Sequence, residues 1–213
     1  MAANGTLHDA FIHELRDTYD AERQLVKAFK KLAKRASAGA LREAFVSHRA
    51  ETVGQVARLE QVFELLGEKV RGRHCKGIAG ILDEAKALTD QSFDAPTRDA
   101  CLIAAAQRAE HYEMAVYGTL VAWAQSLGQP QAVGLLQQNL DEEKAADRRW
   151  SSLAEAGPND AAAAAAPQQI APAQITEPTG KAKAKAKAKA KAKAKAKGKV
   201  EAKGKTLPKK KRR

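Results

Sequence analysis

The chain has 213 residues with 37 Lys and Arg against 25 Asp and Glu, a net charge of +12. That length suits one domain or a domain with an appendage. No run approaches the roughly 18 apolar residues of a membrane-spanning helix, and the start, MAANGTLHDAFIHELRD, has neither the apolar core nor the cleavage site of a secretory leader, so a soluble, cytoplasmic protein without membrane insertion is expected.

From Leu7 to about Leu153 the sequence reads as helix after helix, with Pro only at positions 96 and 130. Both sit where a helix should begin, the one place Pro is tolerated. The first helix is predicted over about 6–35. Its inward stripe is Phe11, Leu15, Thr18, Glu22, Leu25, Phe29 and Leu32, with the alternating steps of four and three of a bundle seam. After a turn at 36–39, a second helix spans about 40–66, with Leu41, Phe45, His48, Thr52, Gln55, Leu59, Val62 and Leu66 in phase; Gly67 stops it. Residues 68–95 form a crossover, basic at first (Lys69, Arg71, Arg73, Lys76), then carrying a short amphipathic helix around Ile78–Leu88. A third long helix runs over about 96–127, capped by Asp94, with Ile103, Ala106, Glu110, Glu113, Tyr117, Leu120 and Ala124 inward. A fourth follows over about 130–154, with Val133, Leu136, Leu140, Glu143, Asp147 and Trp150 inward.

Two tight helical hairpins joined by one long crossover form an all-α, ferritin-like four-helix bundle. The domain is placed at 1–157, ending at Gly157-Pro158. Residues 158–180, rich in Ala, Pro and Gln, are expected to be a flexible linker. Residues 181–213 are expected to form a disordered tail. Cys75 and Cys101 are too few for a disulfide framework; a single bridge is possible, but two reduced thiols are expected.

Acids interrupt the apolar stripes. Glu22 does so on the first helix, Glu110 and Glu113 on the third, and Glu143 and Asp147 on the fourth, while the second helix offers His48 with Glu51 three residues on. Charged groups are seldom fully buried unless paired or bound to a metal. Their depths agree too: Glu113 and Glu143 stand fifteen residues either side of Gly128, and Glu22 and Glu51 lie at similar depths about the first turn, roughly 20 Å from their helix ends at 1.5 Å per residue. Acids from four helices at one level are the construction of a carboxylate-bridged dinuclear centre. The alternative is that each acid sits at a stripe edge and pairs outward. The candidate ligands are thus Glu22, His48, Glu51, Glu110, Glu113, Glu143 and Asp147. His8, His13, His74 and His111 are read as surface.

These helices resemble the YciE/YciF-like branch of ferritin-like stress proteins. The resemblance is carried by HELRDTYDAERQL (13–25), EAFVSHRAETVGQVARLEQVFELLG (43–67), AAAQRAEHYEMAVYGTL (104–120) and LDEEKAADRRW (140–150). It covers nearly all of 7–153 and none of the tail. It implies a cytoplasmic, dimeric helical bundle with a short extra helix in the crossover, and a stress-linked role. The wider ferritin-like pattern has Glu on two helices and Glu-x-x-His on the other two. This chain reads His48-x-x-Glu51, Glu110-x-x-Glu113 and Glu143-x-x-x-Asp147 instead. So oxygen-rich a site suits two Fe or Mn ions better than Zn or Cu.

The tail has the opposite character. Residues 181–213 hold 15 Lys and 2 Arg against the single acid Glu201, a net +16, which leaves the other 180 residues at −4. In Lys-Ala alternation a helix would set like charges four apart and a strand would lack a large apolar face. A flexible arm that neutralises phosphates is expected, with Lys181, Lys183, Lys185, Lys187, Lys189, Lys191, Lys193, Lys195, Lys197, Lys199, Lys209, Lys210, Lys211, Arg212 and Arg213 as contacts. It resembles the tails of histone-H1-like proteins. With no aromatic residue in it, base stacking is not expected. DNA, or another polyanion, is the expected partner, and association with the nucleoid follows. Three functions remain open: a stress protein with a dinuclear Fe or Mn centre tethered to DNA, a ferroxidase or manganese-catalase-like enzyme localised by the tail, and a metal-free structural nucleoid protein.

Overall fold

The computed structural model describes residues 5–165. Six helices follow one another: α1 (Leu7–Arg35), α2 (Gly39–Leu65), α3 (Lys76–Thr89), α4 (Ala95–Ser126), α5 (Pro130–Glu155) and α6 (Pro158–Ala165). The described residues contain no strand. The four long helices fall within one or two residues of the expected bounds.

Local chemistry sets the ends. Thr6 and Asp9 form a reciprocal capping box at the start of α1, Thr6 N donating to Asp9 Oδ2 at 2.8 Å and Asp9 N to Thr6 Oγ1 at 3.2 Å. Asp94 caps α4 by accepting from Thr97 N at 2.8 Å. Gly67 and Gly128 terminate α2 and α4 in the left-handed region, both at φ 66°, a conformation glycine adopts without steric cost.

The hairpins α1–α2 and α4–α5 pack side by side, α2 against α5 and α1 against α4. The crossover brings the start of α4 back to the α1–α2 turn. There the buried Asp99 accepts from Ser37 N and Ala38 N, each at 2.8 Å. Within the crossover, α3 lies on α1 and α4. Its start is tied to α1 by Cys75 N donating to Asp20 Oδ2 at 2.9 Å. Gly77 allows this packing: a Cβ there would stand 2.7 Å from the Tyr112 ring of α4. Cys75 and Cys101 are free thiols.

Two apolar clusters form the core. One gathers Phe11, Leu15, Leu59, Phe63, Leu120 and Leu136 at the end where α1 begins. The other gathers Leu25, Phe29, Phe45, Leu102, Ile103 and Trp150 towards the end where α1 finishes. A layer of buried polar residues interrupts the stripes between them.

One element departs from the sequence reading. The stretch expected to be linker from Pro158 begins with α6, which packs on α4 and α5. The Ala run has helix propensity but no apolar–polar contrast, so periodicity could not reveal it. The rest of the expected linker and the basic tail, including every lysine and arginine named there, lie outside the described residues.

Candidate metal centre

The polar layer is built from the four long helices. Glu22 comes from α1, His48 from α2, Glu110 and Glu113 from α4 and Glu143 from α5, and each is at most 2% exposed. Their ligand atoms fall into two groups: His48, Glu110 and Glu143, and Glu22, Glu113 and Glu143, with the atoms of each group within 4.8 Å of one another. Glu143 belongs to both. One donor set therefore contains an imidazole and two carboxylates, and the other three carboxylates.

Neighbours orient one carboxylate oxygen of Glu22, Glu110 and Glu143 and leave the other without a partner. Tyr117 OH donates to Glu22 Oε1, and Gln55 Nε2 to Glu143 Oε1. Trp150 Nε1 donates to Glu110 Oε1 at 2.9 Å. The second oxygens of Glu22, Glu110, Glu113 and Glu143 are buried without a hydrogen-bond partner, as is His48 Nε2. His48 Nε2 lies 2.9 Å from Glu110 Oε1 and 4.0 Å from Glu143 Oε2, close but without hydrogen-bond alignment to either. Buried polar atoms without partners cost roughly 1–3 kcal/mol each. Five of them meeting in one layer is the pattern of ligand atoms aimed at a shared third body. The donor set fits Fe or Mn: oxygen-rich, with one imidazole.

An outer chain holds this arrangement. Arg58 Nε donates to Asn139 Oδ1, whose amide donates to Tyr117 OH at 2.9 Å. Arg58 also pairs with Glu142 at the surface. The path runs from a surface ion pair through Asn139 and Tyr117 to Glu22. Rings of Phe29 and Trp150 flank His48 at centroid distances of 4.7 and 5.8 Å. Such outer partners fix the tautomer and angle of ligands.

Electrostatics shows what a cation-free centre costs. Burial raises the Glu22 carboxyl to about 7, against the lowering effect of the Tyr117 hydrogen bond. Burial, then the charges of Glu22 and Glu110, hold Glu113 well above the usual carboxylate range. Glu143 is raised likewise, by burial and then by the Glu113 charge. For His48, burial opposes the cation, but Glu110 and Glu51 outweigh it and raise the ring to about 9. Glu110 is lowered although burial works against its charge, because Glu143 and protonated His48 sit beside it. Without a metal, protons supply the positive charge that this many acids require.

The other two expected ligands stand at the margin. Glu51 is half-exposed, accepts from Arg149, and lies 3.2 Å from His48 Nδ1. It orients the imidazole rather than joining either group. Asp147 Oδ1 faces the exposed His111 Nε2 at 3.2 Å and is in neither group. The buried seam passes from His48 to Thr52 on α2 and from Glu143 to Ala146 and Trp150 on α5, which leaves Glu51 and Asp147 one residue to its side. Asn139 and Arg58 were not singled out from the sequence. Asn139 falls in phase with Leu136 and Glu143 on α5 and carries the same signal, a polar residue on a core stripe; Arg58 carries none.

Fold and centre together define a class: a four-helix bundle of ferritin-like topology with a single-histidine, carboxylate-rich polar layer. Residues 6–163 match the family described as Domain of unknown function (DUF892), and the chain belongs to that family. It is 45% identical over 150 residues to Protein YciF of Escherichia coli (strain K12), covering 70% of this chain and 90% of YciF. Among solved structures it is similar to the E. coli stress protein YciF, with 44% identity and a TM-score of 0.69 over 71% of this chain and 96% of that one. YcfI of Rhodopseudomonas palustris, by name a structural protein, has 41% identity and a TM-score of 0.69 over 71% and 97% of the two chains. A Xanthomonas campestris pv. campestris protein at 21% identity and TM-score 0.58, covering 71% of this chain and 93% of its own, shares the fold. The matched family region stops short of the lysine-rich tail. No described helix is long and apolar enough to cross a membrane.

Proposed function

We propose that the bundle binds two divalent cations, Fe or Mn, in its polar layer, and that the tail tethers it to DNA. The carrying observation is the convergence of four buried carboxylate oxygens without a hydrogen-bond partner, together with His48 Nε2, in two groups that share Glu143. His48 and Glu110 would hold one ion, Glu22 and Glu113 the other, and Glu143 would bridge. Two divalent cations would match the four negative charges of the buried acids, which protons otherwise neutralise. A bound Fe or Mn pair supplies redox capacity towards dioxygen or peroxide. The chain's own part is to exclude water with its two apolar clusters and to orient Glu22 and Glu143 through Tyr117 and Gln55.

The stress-protein name belongs to E. coli YciF. For this chain we infer a related role: holding redox-active metal near DNA, as a cytoplasmic, nucleoid-associated homodimer. The name of YcfI favours a second reading, a structural protein whose acids no longer bind metal.

Metal analysis decides between them. Protein stripped with chelator and refilled with Mn(II) or Fe(II) should retain about two ions per chain and melt at higher temperature than the stripped form. Absence of retained metal and of any shift would overturn the metal reading in favour of the structural one. For the tail, deletion of residues 181–213 should remove the gel shift of a duplex at moderate salt, since each neutralised phosphate adds about 0.9 to the salt slope; an undiminished shift would overturn tethering by the tail.

A further inference from the structure

The bundle outside the tail is net acidic, yet its charges are segregated. Residues 7–22 of α1 hold five acids and one arginine, whereas residues 23–35 hold six cations and no acid. The helix dipole favours that order, but its influence fades within the last turn, and Lys27 and Lys30 lie farther back.

On this cationic half, a groove of about 440 Å³ opens between α1 and α2. Lys30 and Lys34 form one wall, Arg42 and Arg49 the other, and no acid lines it. None of the four has an ion-pair partner among the described residues, whereas Arg16, Arg35, Arg58 and Arg149 each hold a carboxylate. Both groove arginines are instead braced by backbone carbonyls, Arg42 Nη2 on Ala36 O at 3.1 Å and Arg49 Nε on Val26 O at 3.0 Å. Those bonds orient each guanidinium without neutralising it. Like charges four residues apart on a helix repel, so the arrangement costs the free protein a little and is relieved by a bound anion.

The spacing selects the anion. Lys30 and Lys34 are about 6 Å apart along α1, and Arg42 and Arg49 about 10 Å apart along α2. Such rows suit successive phosphates better than one point charge. The groove's aromatic, Phe29, is buried, so it offers no face for stacking a base, and contacts are to the backbone. The tail carries the same sign and is not the occupant.

We infer that this groove binds the phosphate backbone of duplex nucleic acid, so that the bundle itself lies against the polymer. The choice of polyanion rests on the reading of the tail above; the groove does not.

The test uses the full-length chain and a duplex of about 25 base pairs, with binding followed by fluorescence anisotropy across a salt series. Lys30→Gln/Lys34→Gln is compared with Lys69→Gln/Lys144→Gln, which removes the same net charge elsewhere. The groove pair should lower the log–log salt slope by about 1.8, at about 0.9 per phosphate, with melting temperature unchanged. The control pair should keep the wild-type slope. Arg42→Gln should lower the slope by about 0.9 more. Equal slopes for the two lysine pairs would overturn the groove while leaving the tail's role standing. No binding by the wild-type chain would remove both. Loss of binding to anionic phosphatidylserine vesicles, or of self-association in sedimentation, with duplex affinity intact, would assign the groove to a membrane or to a second copy and would also overturn the inference.

Discussion

The two apolar clusters and the polar layer between them are built on the same seams, yet follow opposite rules. Phe11, Leu15, Leu59 and Leu120 at one end, and Phe29, Phe45 and Trp150 at the other, are buried because water rejects them. Glu22, Glu110, Glu113 and Glu143 are buried to the same extent although water attracts them. The clusters stabilise the fold in any solution. The layer is a cost in the metal-free protein, and it recovers that cost only when cations or protons arrive. Burial alone therefore does not tell core from site; chemistry at equal burial does.

Substitutions in the clusters should produce the largest effects and ignore metal. Phe45→Ala should cost about 3–5 kcal/mol, equally with and without Mn(II), in denaturant titrations. A loss that shrinks when metal is added would mean that this cluster and the layer are not separable. Metal itself should come next. At a free concentration near 1,000 times the dissociation constant it stabilises by roughly 4 kcal/mol, and Glu143→Gln should remove that gain because both groups share the residue.

pH sharpens the contrast further. The folded carboxyl of Glu22, raised to about 7 from the model-peptide value of 4.5, keeps a proton that the unfolded chain has already lost. Stability therefore falls as pH rises from about 4.5 through 7, by about 3 kcal/mol at 1.36 kcal/mol per unit. His48, raised from 6.5 to about 9, adds a contribution of the same sign, complete below 6.5 and lost through 9. The stripped protein should thus melt higher at pH 5.5 than at pH 9. The metal-loaded protein should show the reverse between pH 5.5 and 7.5, since cations must displace these protons. Matching profiles for the two forms would contradict the assignment of the protons to the metal ligands.

Smaller effects separate the layer from its margin. Glu113→Gln keeps shape but removes an acid whose charge is opposed by burial and by its neighbours. The stripped protein should gain roughly 2 kcal/mol at pH 8 while losing its response to metal. Glu51→Gln should lower the stability of the stripped protein modestly, because Glu51 helps to hold the proton on buried His48, and should preserve the metal-dependent shift. A vanished shift there would return Glu51 to the ligand set.

Much of this was legible in the sequence because helical phase and depth are both readable from spacing. The stripe through Leu41, Phe45, His48, Thr52 and Gln55 is buried residue for residue, and Glu22, Glu110, Glu113 and Glu143 all reach the layer. Phase resolves a helix face only to within a residue's rotation, so Glu51 and Asp147, on the seam's edge, carry the same sequence signal as the acids of the layer although they fall outside both groups. The Arg58–Asn139–Tyr117 chain links residues 22 to 81 positions apart, a proximity that one-helix patterns do not contain. The cationic groove is hidden by arithmetic: a net −4 outside residues 181–213 conceals the acidic and cationic halves of α1.

Metal content decides whether the polar layer holds two cations bridged by Glu143. The most direct measurement is elemental analysis of the stripped, refilled and desalted full-length protein, beside Glu143→Gln. About two Mn or Fe per wild-type chain are expected, and loss of both in the variant. Metal-free wild-type protein, or a variant that retains its full complement, would contradict the bridged two-cation site.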